Sequence, residues 1–305
     1  MSALLDPVRR KLNIPRRALL ISSGAALVAS VLIVLGGAVV RVTGSGLGCP
    51  TWPKCTSGSL TTTPELGIHG LIEFGNRTIT GLLCLTVVAV VITAVLQVKP
   101  DKIVIRTAWA QLALVIVNAV VGGITVLVDL NPWMVALHFV AAMGLLTTTT
   151  MTWHRLRQEP GLAPYPTGLR SLAFAITVAT ALLIMLGTVT TGTGPHSGDS
   201  ADVPRMGFDW VHVTVLHGVL GTLVLVLGIA LWVALSRSGA PRVNVTRSVL
   251  FVASVVAQAL IGLIQSVTAL PTALVILHVF VASLVWIGAV RVALDAAGSR
   301  ALRTV

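Results

Sequence analysis

Three polar side chains lie within five residues of one another at the start of a long apolar run. Glu73 supplies a carboxyl group, Asn76 an amide and Arg77 a guanidinium. Charged groups near hydrocarbon are energetically costly, so such a cluster in a membrane segment marks a candidate functional site. The Glu73 carboxyl could transfer protons during a reaction. Pairing of Glu73 with Arg77 across one helical turn is the structural alternative, and the two roles do not exclude each other.

Three histidines inside apolar runs offer a second kind of chemistry, which is metal ligation. His138, His217 and His278 each lie four to seven residues inside a predicted span. At 1.5 Å per residue, this places them roughly 6–10 Å below the same ends of their helices. Two neutral imidazoles at one depth suit the axial positions of a haem iron, so His217 and His278 are predicted to hold a haem. The alternative is a hydrogen bond from each ring to a backbone carbonyl in the core.

The first half of the chain differs at one of these positions. Asn76 precedes His138 by 62 residues, where a histidine precedes His278 by 61 residues in the second half. An amide is a poor iron ligand, so His138 is predicted to be the one clear axial ligand of a second haem. His69, seven residues before Asn76, could approach the mouth of that site or be solvated at the membrane interface.

The elements that position these residues are membrane spans. The chain has 305 residues, of which 55% are hydrophobic and 10% charged, and its mean hydropathy is +0.94. A soluble domain has roughly 25% charged residues, and a helix needs about 20 residues to cross a bilayer. The sequence therefore predicts an all-α integral membrane protein with eight transmembrane helices. We place them at 18–40, 70–96, 107–128, 132–153, 170–191, 210–236, 248–268 and 272–293.

The basic residues are distributed unevenly between the two ends of these spans. Of the 21 lysines and arginines, 17 precede the first span, follow the second, fourth or sixth, or lie at the C-terminal end of the chain from Arg291 onward. The positive-inside rule predicts that this end and both termini are cytoplasmic. The net charge of +11 therefore indicates topology and contact with anionic lipid rather than nucleic-acid binding.

The chain contains an internal repeat. The segment 118–138 resembles 258–278 at a constant offset of 140 residues, and the Thr-Gly-Ser-Gly sequence at 43–46 has a counterpart, Thr-Gly-Thr-Gly, at 191–194. Parallel repeats are a known membrane architecture, so we predict two pseudo-symmetric four-helix bundles. Their limits are a first half at 1–153, a cytoplasmic linker at 154–169 and a second half at 170–305.

Two cysteines flank five residues in the loop after the first span. The charge pattern places Cys49 and Cys55 on the outer, oxidising side, which favours a disulfide over two free thiols. A metal site formed by this pair alone is disfavoured, because the same short loop holds no further cysteine or histidine.

Together these motifs resemble the haem A synthase family of the CtaA type over residues 18 to 293. The resemblance is carried by Gly36–Gly46, Cys49-Pro50, Trp52-Pro53, Cys55, Glu73–Arg77, Ala136–Phe139, Leu216–Gly218 and Leu277-His278. It implies a multi-pass enzyme of the bacterial cell membrane. Such an enzyme oxidises the C8 methyl group of haem O to a formyl group, which gives haem A for cytochrome oxidase.

The resemblance also implies roles for individual residues. His217 and His278 become the axial ligands of a haem b cofactor, His138 binds the iron of the substrate haem O, and Glu73 is the essential acid. The loop cysteines match the family's cysteine pair. The chain departs from the family at Asn76, where many relatives have histidine, so the substrate half lacks a second histidine ligand.

Two arginines at the outer helix ends have open roles. Arg41 and Arg77 could pair with haem propionates, because guanidinium forks fit carboxylates. The alternative is that both side chains reach to the membrane interface.

The implied partners are haem O, the synthase that makes haem O, an electron donor and membrane lipid; a homo-oligomer is left open. Two other classes of protein share some of these features. A di-haem b membrane cytochrome passing electrons from quinol would favour two histidines in each half. A transporter built from parallel repeats should have polar or broken helices near the midplane, whereas the polar residues here cluster near the outer third.

Overall fold

Helices make up most of the part of the chain that the structure describes. The computed structural model describes residues 2–157, 162–196, 198–199 and 203–301. Over these ranges the helices, in chain order, are α1 (Ser2–Leu12), α2 (Arg16–Val42), α3 (Gly67–Val95), α4 (Lys102–Leu127), α5 (Pro132–Leu156), α6 (Thr167–Thr193), α7 (Trp210–Arg237), α8 (Arg242–Val267) and α9 (Thr272–Ala301). The eight helices α2–α9 are long and apolar enough to cross a membrane. The prediction of an all-α protein with eight spans is confirmed.

Several helix boundaries differ from the predicted ones for a common reason. Helices α4 and α8 begin five and six residues before the predicted spans, because their first turns are polar and basic yet still helical. Asp101 accepts backbone N–H bonds at the start of α4, as Asn131 does at α5 and Asp209 at α7. Side-chain caps of this kind satisfy N–H groups that lack a partner within the helix. Hydrogen bonds from the backbone and ring of His212 also hold the pKa of Asp209 below its usual range.

The spans pack as two rings of four helices. In the first ring, each of α2 to α5 packs against the next and α5 closes onto α2; α6 to α9 do the same in the second ring. Each ring has its own buried apolar core. The domain limits drawn from the internal repeat stay a prediction.

The two rings meet along α2 and α5 on one side and α6 and α9 on the other. The indole N–H of Trp286 on α9 donates to the Met143 carbonyl at 3.1 Å and to the Thr147 hydroxyl at 2.9 Å, both on α5. These contacts lie among the buried side chains Val34, Met143 and Leu146. The interface therefore combines apolar packing with an indole hydrogen bond between the rings.

Successive spans run in opposite directions, which gives the protein two distinct ends. The end at which α3, α5, α7 and α9 begin carries the disulfide loop and is called the outer end here. The opposite end carries the basic residues that flank the spans and is called the basic end. That the basic end faces the cytoplasm stays a prediction from the charge pattern.

Candidate functional site

Two histidines face each other inside the second ring. His217 on α7 and His278 on α9 lie at opposite corners of that ring, and their ring centroids are 6.4 Å apart with an angle of 54° between the planes. Two imidazoles on opposite sides of one metal ion, bonded at about 2 Å each with the ring centre ~1 Å further, would be about 6 Å apart. The observed spacing therefore fits a metal ion held between the two imidazoles.

The buried Nδ1 atoms of the three intramembrane histidines are not accounted for by hydrogen bonds to the protein core. The Nδ1 atoms of His138, His217 and His278 are buried and make no hydrogen bond of normal geometry with any described residue. The backbone carbonyl of Leu183 lies beside the His217 ring, which is the kind of neighbour that orients a metal-bound histidine. Among the described residues, no group of three or more His, Cys, Asp or Glu side chains is placed to hold a metal ion. A metal at this pair would therefore need further ligands that the described side chains do not supply, as porphyrin nitrogens do for iron.

Each of the three histidine rings rests against a glycine of the neighbouring helix. The pairs are Gly122 with His138, Gly187 with His217 and Gly262 with His278. A Cβ atom added to the glycine would lie 2.8, 3.1 and 3.2 Å, in that order, from the Cε1 atom of the ring. Such distances are shorter than ordinary van der Waals contact, so only glycine lets the ring lie this close to the adjacent backbone.

Asn76 occupies the corresponding place in the first ring. It lies on α3 against Gly36 on α2, as His217 lies on α7 against Gly187 on α6. A Cβ at Gly36 would overlap the Asn76 side-chain oxygen, and this oxygen is buried without a hydrogen-bond partner in the described structure. The two rings thus use the same glycine contact with a different side chain.

The turns that precede α5 and α9, the helices that carry His138 and His278, have the same backbone conformation. Asp129 and Leu130 have φ angles of 49° and 55°, and Ala269 and Leu270 both have φ angles of 58°. Left-handed backbone is unusual for residues other than glycine and tends to occur where the fold imposes it. Nothing in the amino-acid sequence of these turns predicts this conformation. It starts α5 and α9 alike, and in each helix the histidine is six residues past the first helical residue.

The polar cluster on α3 forms an ion pair at the outer end. Glu73 is only 7% exposed, and its Oε1 accepts a hydrogen bond from Arg77 Nε at 3.1 Å. The other guanidinium N–H groups donate to the carbonyls of Cys49, Thr51 and Lys54 at 3.1–3.2 Å. All five donors of Arg77 therefore have protein acceptors. Within the protein, Arg77 joins the Glu73 carboxyl to the disulfide loop. Its pairing with a haem propionate stays a prediction.

The disulfide loop covers the outer end of the first ring. Cys49 and Cys55 form a disulfide bond with an S–S distance of 2.03 Å and both are fully buried, so the predicted disulfide is confirmed. The indole of Trp52, between them in sequence, packs against Gly123 of α4. Gly123 is the neighbour of the glycine on which His138 rests. The loop thus contacts the helix segment that supports this histidine.

Arg41 and His69 lie where the outer loops of the two rings meet. Arg41 donates to the carbonyls of Thr191 and His196, both at 2.9 Å, so it links the two rings of helices. Its pairing with a haem propionate stays a prediction. His69 Nδ1 lies 3.0 Å from the Ser45 hydroxyl. Beside it, the side chain of Asp199 accepts a hydrogen bond from the Leu47 N–H at 2.9 Å. His69 is thus fixed in this junction, half-buried rather than solvated at the interface.

Sequence reasoning found the histidines, Glu73 and the cysteines but missed the glycines that face the rings. Gly122 and Gly262 recur at the same offset as His138 and His278, which was a usable signal. No comparable signal pointed to Gly187. The side chain that faces it is His217 on α7, whereas the equivalent helix of the first half, α3, has Asn76 at that place.

Comparison with known proteins gives a consistent set of relatives. The sequence model of the COX15-CtaA family, described as cytochrome oxidase assembly protein, matches residues 21–290. A protein named heme A synthase from Listeria monocytogenes serotype 4a is 30% identical over 188 residues, which cover 59% of this chain and 60% of that protein. Heme A synthase of Exiguobacterium sibiricum is 26% identical over 205 residues, covering 64% and 67%. The chain spans about 60% of the length of the Listeria relatives that it matches.

Proposed function

Because this chain belongs to the COX15-CtaA family of cytochrome oxidase assembly proteins, we propose that it is a membrane-bound haem A synthase. The proposed reaction converts the C8 methyl group of haem O to a formyl group, which gives haem A for cytochrome oxidase. Relatives that carry the name heme A synthase support the activity. The main structural support for this activity is a difference between the two rings of helices. The second ring contains a pair of facing histidines, whereas in the first ring Asn76 takes the place that corresponds to His217.

In this proposal His217 and His278 hold a resident haem b. The 6.4 Å between the centroids of the two imidazoles would suit two ligands of one iron. When bound, haem b supplies one-electron redox chemistry. The chain's own contribution is to fix both imidazoles against glycine backbone and to exclude water from the space between them.

The first ring is the proposed site of the substrate, haem O. His138 is the proposed ligand of the substrate iron, and its support on Gly122 matches that of His278 on Gly262. Asn76 fills the place of the second histidine with an amide, which is a poor ligand for iron. The chain would then hold the substrate iron strongly from one side only.

Glu73 is the proposed proton-transferring group of this site. It lies three residues before Asn76, so both side chains project from the same face of α3. Burial and the hydrogen bond from Arg77 hold the carboxyl in one orientation. Oxidation of a methyl group to a formyl group takes four electrons from the carbon and adds an oxygen atom, so it needs an external oxidant. The part proposed for the Glu73 carboxylate is to accept a proton released from the carbon. Arg77 acts as a positioning residue through the Glu73 carboxyl.

The proposed partners follow from the reaction. Haem O reaches the protein from the synthase that makes it, and an electron donor serves the haem b ring. The eight apolar helices make the chain a multi-pass membrane protein, and we propose the bacterial cell membrane with both termini in the cytoplasm.

The activity is tested by producing the chain in cells that make haem O but lack haem A. Extracted pigments are separated by chromatography and identified by mass, with an empty vector as control. Haem A is expected only in cells that carry the chain. A folded, haem b-containing protein that leaves haem O unchanged in such cells would contradict the proposed function.

Replacing Asn76 by histidine is expected to make the first ring like the second. The new imidazole would face His138 across the ring and convert the substrate-site haem to a low-spin form with two histidine ligands, while haem A formation falls. Electron paramagnetic resonance of the purified protein separates the two forms. Thr78→His, at an exposed side chain two residues further along α3, is the matched control and should leave the spectrum unchanged. A native protein in which both haems already have two histidine ligands would refute the assigned asymmetry.

Replacing Gly262 by valine is expected to displace His278 and release haem b. The nearest ring atom lies 3.2 Å from the position of the first added carbon, and overpacking of this kind costs about 1–3 kcal/mol. Haem b retention should fall by about tenfold, as measured by the absorbance of reduced pigment per purified protein. Gly218→Val is the control, because a Cβ there meets open space. Equal haem loss in both variants would show that the glycine contact is not what matters.

A further inference from the structure

A pocket of about 210 Å³ opens at the basic end of the protein, where the two rings meet. It lies at the opposite end of the helices from the disulfide loop and takes no part in the proposed reaction. Its lining residues are Trp153, His154 and Arg157 at the end of α5, Arg247 on α8 and Arg291 on α9. Three arginines from three helices and both rings thus converge on one cavity.

The described lining of this pocket is rich in basic side chains and contains no acidic residue. The carboxylate of Asp295 is fully buried, 2.5 Å from Arg247 Nη1 and 3.6 Å from His154 Nε2. Three guanidinium groups therefore line the pocket, and one of them is held by this carboxylate.

The arginines are held in place by their neighbours. The guanidinium carbon of Arg157 lies 5.3 Å from the centre of the Trp153 ring, which is a cation–π contact. Arg247 is only 7% exposed and is oriented by Asp295. The guanidinium groups of Arg157 and Arg247 are therefore oriented before any ligand arrives.

We propose that this pocket binds a phosphate group. Guanidinium groups bind phosphate oxygens with two parallel hydrogen bonds, and several of them around one cavity select an anion with oxygens on all sides. A basic pocket between helices at a membrane surface is also the kind of site that takes an anionic lipid headgroup. A phosphate there bridges α5 of the first ring to α8 and α9 of the second, and so holds the rings together at the end opposite the outer-loop junction.

The phosphate could belong to an anionic phospholipid or be free in solution, and the experiment distinguishes these sources. The haem-loaded full chain is purified in detergent, and its melting temperature is followed while phosphatidylglycerol, zwitterionic phosphatidylcholine, or sodium phosphate is added, with sodium chloride at equal ionic strength as reference. A rise with phosphatidylglycerol alone identifies a lipid headgroup. An equal rise with sodium phosphate identifies the free anion. A rise with phosphatidylcholine or chloride as large as with either phosphate anion would overturn the proposal.

The pocket is tested directly with the double variant Arg157→Gln/Arg291→Gln. Loss of charged hydrogen bonds should raise the half-saturating concentration of the stabilising anion by about tenfold or more. The matched control is Arg237→Gln/Arg242→Gln, which removes the same charge from exposed side chains at the same end, outside the pocket. If the control loses the response equally, or the pocket variant keeps it, the proposal fails. Arg157→Gln alone, at an exposed side chain, replaces the double variant if the latter does not fold, and the same two outcomes apply to it.

Discussion

Replacing Glu73 by glutamine is expected to abolish haem A formation while haem b stays bound. Glutamine keeps the size of the side chain and can still accept the hydrogen bond from Arg77, so the disulfide loop should remain in place. It cannot carry a proton or a negative charge. Loss of a proton-transferring group typically lowers a rate by about 10²–10⁴-fold. Haem A should therefore fall below detection in pigment extracts of cells that make haem O.

Two further variants separate catalysis from structure in this experiment. Glu65→Gln removes an exposed carboxyl at the same end of the protein and should leave haem A formation unchanged. Glu73→Asp keeps a carboxyl and should restore part of the activity. Haem b is read in every variant from the spectrum of the reduced, purified protein. Normal haem A formation by the Glu73→Gln protein would remove Glu73 from the proposed mechanism.

Replacing His278 by alanine is expected to cost the protein its haem b and, with it, haem A formation. The substitution removes one of the two proposed axial ligands and leaves His217 facing an empty space of imidazole size. Reduced pigment spectra of the purified variant should show little haem b, whereas the substrate site in the other ring is untouched. Because the two sites lie in separate rings, haem O should still bind.

A ligand role for His278 can be told from a packing role. His212→Ala is the matched control, since that histidine is on the same helix as His217 but its side chain is 89% exposed. Added imidazole should enter the space left in the His278→Ala protein and restore haem b binding, which a merely structural defect would not allow. Full haem b content in the variant without imidazole would exclude His278 as a ligand.

The eight spans could be predicted because their signal is local. Runs of apolar residues fix which segments are helical. The predicted limits differ from the observed ones mainly where a helix continues beyond its apolar run, at its start as in α4 or at its end as in α9. The short helix Ser2–Leu12 escaped prediction because it is polar and basic on one side and too short to span a membrane. The repeat gave the depth of His138, His217 and His278 in the same way, by counting along the chain.

The contacts between distant segments could not be predicted. The sequence placed Arg41 and Arg77 at helix ends, but it did not show that each guanidinium binds carbonyls of a loop far away in sequence. Hydropathy and spacing contain no information about which loop folds back over which helix. The left-handed turns at 129–130 and 269–270 were hidden for a related reason, since Leu130, Ala269 and Leu270 are residue types without a preference for that conformation.

The glycine contact shared by Asn76 and His217 has a consequence for how long each haem stays. Two strong ligands slow the dissociation of a bound group, because both bonds must break before it leaves. In the proposed enzyme the second ring holds its haem from both sides and keeps it through many cycles. The first ring holds its haem firmly from one side only. A substrate that must leave as product needs this shorter residence time, and exchange of a single side chain between two similar rings provides it.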